Sequence, residues 1–142
     1  MTSCDDIPEG FFRHDRPSGF TAPWEPIYAA KRVDSFSLGL RAGAAHSNSR
    51  GLVHGGLISA LADNAMGLSC LASQEGKQLV TVHLSVDYLS AASAGAWIEV
   101  VGVPSKVGAS VCFAEAKVYA DSKLCARANG IFKVIGSRET SL

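Results

Sequence analysis

The chain of 142 residues is long enough for one domain with its own hydrophobic core. Hydrophobic residues make up 47% of it and charged residues 18%, which is typical of a compact folded protein and argues against disorder. Its 13 basic and 13 acidic residues balance, and no lysine or arginine block occurs. Nucleic acid and an anionic membrane surface are therefore disfavoured as main partners.

The N-terminal residues show neither the basic start nor the apolar run of a signal peptide, and no apolar stretch reaches the roughly 18 residues that cross a bilayer. We therefore expect a cytoplasmic protein. The four cysteines are widely spaced without a CxxC pair, which favours free thiols at Cys4, Cys70, Cys112 and Cys125. The four histidines also lack the spacing of zinc ligands, so no metal is expected.

Residues 1–32 interleave prolines with aromatic residues. Prolines prevent long regular elements, so we expect an N-terminal arm with only short turns that covers a single domain formed by residues 33–142. The aromatic side chains either pack as a cover, which is the default for buried aromatics, or line a ligand pocket.

The first regular elements are a strand and a helix. Alternation predicts a strand over residues 33–40, and the Leu, Ala and Met content predicts a helix over residues 57–71. One arc of this helix is apolar and should pack on a sheet (Leu57, Ile58, Leu61, Ala65, Leu68 and Leu71). The opposite face is mostly small and allows close approach of a backbone or a ligand (Ser59, Ala60, Asp63, Gly67 and Cys70).

The rest of the chain is rich in strand patterns. Residues 78–89 alternate, with Val80, Val82, Leu84, Val86 and Tyr88 on one face and Thr81, His83, Ser85 and Asp87 on the other. A strand over 96–103 and a loop over 104–108 follow. Strands over 110–120 and 123–135 form a hairpin around Asp121-Ser122. These elements predict an α+β domain in which an antiparallel sheet wraps one helix.

The residues that could take part in a reaction lie at the start of the helix and within it. The pair Gly55-Gly56 leaves backbone N–H groups unpaired and unobstructed, where the helix dipole adds positive charge. Such an end can hold a developing oxyanion, or the glycines make only a tight turn. His54 is either a hydrogen-bonded structural histidine or a base. Asp63 is a carboxylate in a packed helix, and such a group has either a partner or a catalytic task.

Helix geometry separates two of these residues. His54 and Asp63 are nine positions apart, hence about 13 Å along the axis and on nearly opposite sides of the helix. One reaction could hardly use both from the same chain. A symmetric dimer, in which the helix start of one subunit faces Asp63 of the other, removes the difficulty.

The segment Asn48-Ser-Arg-Gly-Leu-Val-His54-Gly55-Gly56, followed by Leu61-Ala62-Asp63-Asn-Ala-Met-Gly67, resembles the signature of hotdog-fold acyl-CoA thioesterases of the PaaI type. The likeness covers roughly residues 33–135. It implies a five-stranded antiparallel sheet around one long helix, in subunits that join edge to edge as a dimer or as a tetramer made of such dimers, with active sites at the dimer interface.

The resemblance also implies residue roles. Asp63 would be the general base or nucleophile, and the Gly55 N–H with the Asn48 side chain would hold the thioester carbonyl. His54 would orient the loop or the thioester, and Thr81 would position the attacking water. Coenzyme A, as part of the substrate and not as a cofactor, would lie along Gly56, Lys106, Val107, Gly108 and Ser110.

Two other functions remain open. A hotdog domain can bind acyl-CoA as a sensor without turnover, although a pure binder has no need of a carboxylate beside the thioester. A dehydratase or hydratase of acyl thioesters resembles a different motif, in which a catalytic His works with an acid at another spacing. No GxSxG elbow occurs and Cys70 has no evident His partner, so a Ser or Cys nucleophile is disfavoured. The acyl group is not readable from the sequence.

Overall fold

The computed structural model describes residues 6–136, which form one antiparallel sheet of seven strands with one long helix against it. The strands lie in the order β1-β2-β3-β5-β6-β7-β4, so β4 forms one edge of the sheet. The elements are β1 (Phe12–Arg13), β2 (Tyr28–Lys31), β3 (Phe36–Arg41), α1 (Gly55–Leu71), β4 (Gln78–Tyr88), β5 (Trp97–Val107), β6 (Val111–Ala120) and β7 (Lys123–Ile135).

The predicted hotdog architecture is confirmed, with two strands more than the five expected. β1 and β2 come from the N-terminal arm, for which only short turns were predicted. That prediction was wrong because the backbone of β2 pairs with β3, with Tyr28 opposite Gly39. The sheet therefore runs across residue 32, and the division of the chain into an arm and a domain at that residue stays a prediction.

Small residues on the inner face of the sheet let α1 approach closely. Every second residue of β6 is buried there, in the series Cys112, Ala114, Ala116 and Val118. On β5, a Cβ atom at Gly102 would lie 2.5 Å from the carbonyl oxygen of Ala65 in the helix. The helix backbone is thus in direct contact with the sheet backbone, which fixes the position of α1.

Several predicted boundaries changed. The helix begins two residues earlier, at Gly55, and the strand over 123–135 and its hairpin agree with the structure. Asp121 and Ser122 both take positive φ, as a tight hairpin turn requires. The predicted loop over 104–108 is wrong because β5 continues to Val107, with a register shift beside Pro104 that accommodates the proline.

The buried stripe of α1 also differs from the predicted arc. Ala62, Met66 and Cys70 are fully buried, whereas Leu68 and Leu71 are only half-buried. Cys70 therefore faces the sheet and does not belong to the small exposed face. Asp63 and Gly67 of the small face are half-buried and border a cleft.

A β-bulge changes the facing of β4. Thr81 pairs with Phe132 of β7 and His83 with Ile131, which leaves Val82 as the extra residue. Phe132 is buried toward the helix, so Thr81 faces the helix as well. The predicted placement of Thr81 on the face of His83, Ser85 and Asp87 is therefore wrong, since the bulge reverses the alternation at Val82.

Within residues 6–136, α1 and the two short 3₁₀ turns are the helical elements, and none is long and apolar enough to cross a bilayer.

The Gly102 contact gives a stability prediction. Gly102→Ala should lower the free energy of unfolding by about 1–3 kcal/mol, because the added methyl group pushes the helix backbone off β5. Urea denaturation followed by circular dichroism measures the change. Gly19→Ala is the control, since a Cβ there meets nothing within 4 Å. Equal stability of the two variants would contradict the close helix–sheet contact.

Candidate active site

Asp63 and Thr81 form one half of the candidate site. Asp63 lies in the middle of α1 and is half-buried. The Thr81 hydroxyl donates a hydrogen bond of 2.7 Å to Asp63 Oδ1. No other described residue donates to this carboxylate, so Oδ2 is available to a water molecule or a substrate.

The start of α1 forms the other half. His54 is the N-cap, and its Nδ1 accepts a hydrogen bond of 2.8 Å from the Gly56 N–H. The neutral ring therefore carries its proton on Nε2. Among the described residues no acceptor meets the Gly55 N–H, as is usual for the first N–H of a helix. The helix start thus presents one free backbone donor in the field of the helix dipole.

A contact that the sequence reasoning missed fixes this helix start to β4. The Tyr88 hydroxyl donates to the Gly55 carbonyl over 2.8 Å and also contacts the Ser59 hydroxyl. A Cβ atom at Gly55 would lie 3.3 Å from the Tyr88 ring. The signal in the sequence was a tyrosine among valines on one strand face, where its hydroxyl needs a polar partner. Tyr88 therefore sets the orientation of the first helical peptide.

Asn48 closes the loop before the helix. Its Oδ1 accepts the N–H groups of Arg50 and Leu52, at 2.9 and 3.1 Å. Two N–H donors at one atom identify that atom as the oxygen, so Nδ2 is the free end of the amide. This Nδ2 donates to no acceptor within residues 6–136. Asn48 can therefore offer an N–H to a carbonyl while its oxygen holds the loop in shape.

The two halves of the site border different clefts. Asp63 and Thr81 line a cleft of about 260 Å³, whereas His54 and Gly56 line another of about 350 Å³. Neither of these two clefts contains residues of both halves. A single subunit therefore does not bring the helix start and Asp63 together, in agreement with the separation expected from helix geometry.

The N-terminal arm contributes to both clefts and to the core. Phe20 and Trp24 stack edge to face, with ring centroids 4.9 Å apart, and line the cleft of His54. Phe11 is buried against Trp97 of β5, with ring centroids 5.3 Å apart. The arm is thus a packed cover at Phe11 and a cleft wall at Phe20 and Trp24.

The predicted coenzyme A stretch lies apart from both clefts. Lys106 pairs with Phe113 and Val107 with Cys112 in the β5–β6 hairpin. The Gly108 carbonyl accepts a hydrogen bond of 3.0 Å from Gln74 Nε2, and Ser110 follows in the turn. None of these four residues lines the cleft of Asp63 or that of His54. The structure does not bring them to the other predicted site residues within one subunit.

Cys70 is unsuited to nucleophilic chemistry. It is fully buried, and burial together with the neighbouring Cys112 thiol raises the pKa of Cys70 to about 12. A thiol of that pKa is almost wholly protonated at neutral pH. Asp63 is therefore the stronger candidate for activating water or attacking a carbonyl.

The chain is similar to known proteins along most of its length. The family model described as "Thioesterase superfamily" matches residues 50–126, which include the helix start, Asp63 and Thr81. The Pseudomonas aeruginosa protein named "Putative esterase PA0474" is 34% identical over 129 residues, covering 89% of this chain and 96% of its own. Human "Acyl-coenzyme A thioesterase 13" is 32% identical over 68 residues, 48% of this chain and 49% of its own.

Solved structures share the fold. The "Hypothetical Thioesterase Protein with Coenzyme A" from Streptococcus pneumoniae has a TM-score of 0.73 and 22% identity, covering 82% of this chain and 94% of its own. The phenylacetic acid degradation protein PaaI of Thermus thermophilus, in a mutant form, has a TM-score of 0.69 and 23% identity. It covers 75% of this chain and 91% of its own. At these identities the likeness is one of fold.

The N-cap gives a testable prediction. His54→Ala should lower the free energy of unfolding by about 1 kcal/mol, because the Gly56 N–H loses its acceptor. His54→Asn should stay close to the parent protein, since Asn also caps helices well. Thermal unfolding of the three proteins measures the difference. If the Ala variant unfolds at the same temperature as the parent protein, the ring of His54 contributes nothing as a cap.

Proposed function

Because the chain belongs to the thioesterase superfamily, we propose that it hydrolyses an acyl-CoA thioester to a free acid and coenzyme A. The observation that carries this proposal is the Asp63 carboxylate, held by Thr81 at 2.7 Å in the wall of a cleft. The likeness to an acyl-coenzyme A thioesterase and to a fold that binds coenzyme A supports this choice of substrate class.

The reaction starts at Asp63. Its carboxylate removes a proton from water while the water oxygen attacks the thioester carbon, and the carbonyl oxygen becomes an oxyanion. The C–S bond then breaks, and the thiol of coenzyme A leaves with a proton. Thr81 holds one carboxylate oxygen, so the other faces the water or the substrate. No cofactor enters these steps.

Direct attack by Asp63 on the thioester carbon is the other possible course. It would form a mixed anhydride that water then hydrolyses. One turnover in water labelled with heavy oxygen separates the two: label in the Asp63 carboxylate indicates the anhydride, and its absence indicates direct attack by water.

The free N–H of Gly55 is suited to hold the oxyanion. It lies at the positive end of the helix dipole. The Tyr88 hydrogen bond to the Gly55 carbonyl fixes the next peptide group along the chain. Asn48 Nδ2 would supply a second donor. His54 is already engaged as the N-cap, which supports a role in orienting the loop over a role as base.

The edge of β4 supports a homodimer as the working unit. β4 is 11 residues long, and described residues pair only with its β7 side. Val80, Val82 and Tyr88 along it are 48%, 57% and 53% exposed. A long apolar edge strand left open is prone to pair with another chain. Pairing with the β4 of a second subunit would cover it.

Such a dimer would complete the site. Thr81 and Tyr88 both stand on β4, beside Asp63 and the helix start respectively. An antiparallel β4–β4 contact brings the two ends of the strand near each other across the interface. Asp63 of one subunit would then face Gly55 of the other. A tetramer made of such dimers remains a prediction. The same is true of the contacts with coenzyme A expected for Lys106, Val107, Gly108 and Ser110.

Removal of the carboxylate tests the base. Asp63→Asn should lower the rate of thiol release from acyl-CoA at least about 10²-fold, because the amide accepts no proton. The variant should keep its fold, since Asn can still accept the Thr81 hydrogen bond. Glu115→Gln is the control, because Glu115 stands on the outer face of the sheet. Turnover by Asp63→Asn at the parent rate would refute the role, and tight acyl-CoA binding without thiol release by the parent would favour a sensor.

Removal of one N–H tests the oxyanion donor. Gly55→Pro deletes the donor at the first helical position, which tolerates proline, and His54 already has the extended backbone that proline requires before it. Gly55→Ala is the matched variant, since it keeps the N–H and adds the same Cβ near Tyr88. We expect the proline variant to be about 10²–10³-fold slower than the alanine variant in kcat. Equal rates would exclude this N–H as the donor.

A further inference from the structure

The cleft beside Asp63 has a second charged residue that the proposed reaction does not use. Arg16, from the N-terminal arm, lines the same cleft as Asp63 and Thr81. His14 lines it too, and burial lowers the pKa of His14, so its ring is uncharged at neutral pH. Arg16 therefore supplies positive charge to this cleft, on the side that the arm covers.

The rest of the cleft lining is mixed: Ser18, Thr21 and Asn64 are polar, and several leucines and Phe132 are apolar. Leu61 and Leu38 are buried beneath it, and Leu79 and Phe132 belong to its β4 and β7 sides. Its volume is about 260 Å³. A cavity of about 150 Å³ holds a benzene molecule, so this cleft has room for a short or single-ring acyl group.

The guanidinium of Arg16 has no anionic partner in the described part of the chain. No carboxylate among residues 6–136 lies within 4.0 Å of it, whereas Arg13, Arg41 and Arg127 each have one. Asp63 shares the cleft and yet is bonded to Thr81. Arg16 is an exposed arginine at the edge of this cleft, and a guanidinium without an ion-pair partner is suited to bind a carboxylate in bidentate fashion.

We propose that the acyl group hydrolysed at this site is short and ends in a carboxylate, which Arg16 binds in the same cleft. The inference rests on the proposed thioesterase function and adds the substrate class: the monothioester of a dicarboxylic acid. Arg16 also offsets the repulsion that such a carboxylate would meet from Asp63 in the same cleft.

A phosphate of coenzyme A is the other anion that Arg16 could meet. The phosphates are separated from the thioester by the full length of the pantetheine arm. Arg16 and Asp63 line the same cleft of about 260 Å³, so an anion that Arg16 binds there lies near a carbonyl placed at Asp63. The terminal carboxylate of a short acyl group is the anion that reaches Arg16 from a carbonyl beside Asp63.

The test compares matched thioesters. Glutaryl-CoA and hexanoyl-CoA have acyl groups of similar length, and only the first ends in a carboxylate. Thiol release is measured for both with the parent protein, Arg16→Ala, Arg16→Lys and the control Arg13→Ala. Arg13 lies in the same arm and outside the cleft. The same acids are also presented as thioesters of N-acetylcysteamine, which carry no phosphate.

The parent should prefer the glutaryl thioester in kcat/KM, and Arg16→Ala should lose about 10–100-fold on glutaryl and little on hexanoyl. Arg16→Lys should retain part of the preference, Arg13→Ala all of it, and the pattern should persist without phosphate. An equal loss on both CoA esters that vanishes with the truncated thioesters would assign Arg16 to a phosphate and overturn the inference.

Failure of the inference differs from failure of the proposed function. Hydrolysis of hexanoyl-CoA without preference for glutaryl-CoA overturns the first and leaves the second. If neither ester is hydrolysed and a panel of other acyl-CoA esters, aromatic and long-chain ones included, also releases no thiol, the thioesterase proposal fails. Calorimetric binding of a glutaryl thioether analogue of the CoA ester to the parent and to Arg16→Ala then decides the inference, with equal affinities counting against it.

Discussion

The structure depends on one rigid helix that carries two chemically different groups, a backbone N–H and a carboxylate. The free N–H at Gly55 and the carboxylate of Asp63 are eight residues apart, hence about 12 Å along α1, and a helix of 17 residues does not bend to bring them together. The helix is also held against β5, where Gly102 allows backbone contact with Ala65. Neither group can move to the other, so one chain does not bring them together.

β4 connects these halves to the surface that a second subunit would cover. The bulge at Val82 turns Thr81 toward Asp63, and farther along the strand Tyr88 binds the Gly55 carbonyl. The same edge strand therefore positions both the Asp63 carboxylate and the helix start at Gly55. Pairing of that edge would stabilise the dimer and the site geometry together, because the backbone that forms the interface also holds Thr81 and Tyr88.

The sequence predicts the elements whose signal is local. The composition of residues 57–71 indicates the helix, and the Asn48, His54-Gly55-Gly56 and Asp63 spacing indicates the family, because both depend on neighbours along the chain. The bulge at Val82 depends on register with β7, and the apolar alternation of β4 continues through it without a break. The facing of Thr81 was for that reason predicted wrongly.

Other features escaped prediction for similar physical reasons. The prolines around Tyr28 argued against a strand there. A short strand forms nevertheless, because pairing with β3 stabilises it. Pro104 indicated a loop, yet the strand absorbs it at a register shift. No local pattern in the sequence distinguishes Arg16, because only the folded arm brings it to the cleft of Asp63.

The division of each site between two subunits is the central claim, and a mixed dimer tests it most directly. Asp63→Asn and Gly55→Pro chains, each inactive as a pure dimer, are co-expressed with different affinity tags, and the mixed dimer is purified through both. The mixed dimer contains one site with both groups intact and should recover about half of the parent thiol release. A mixed dimer no more active than the two pure variants would show that Gly55 and Asp63 do not act across the interface.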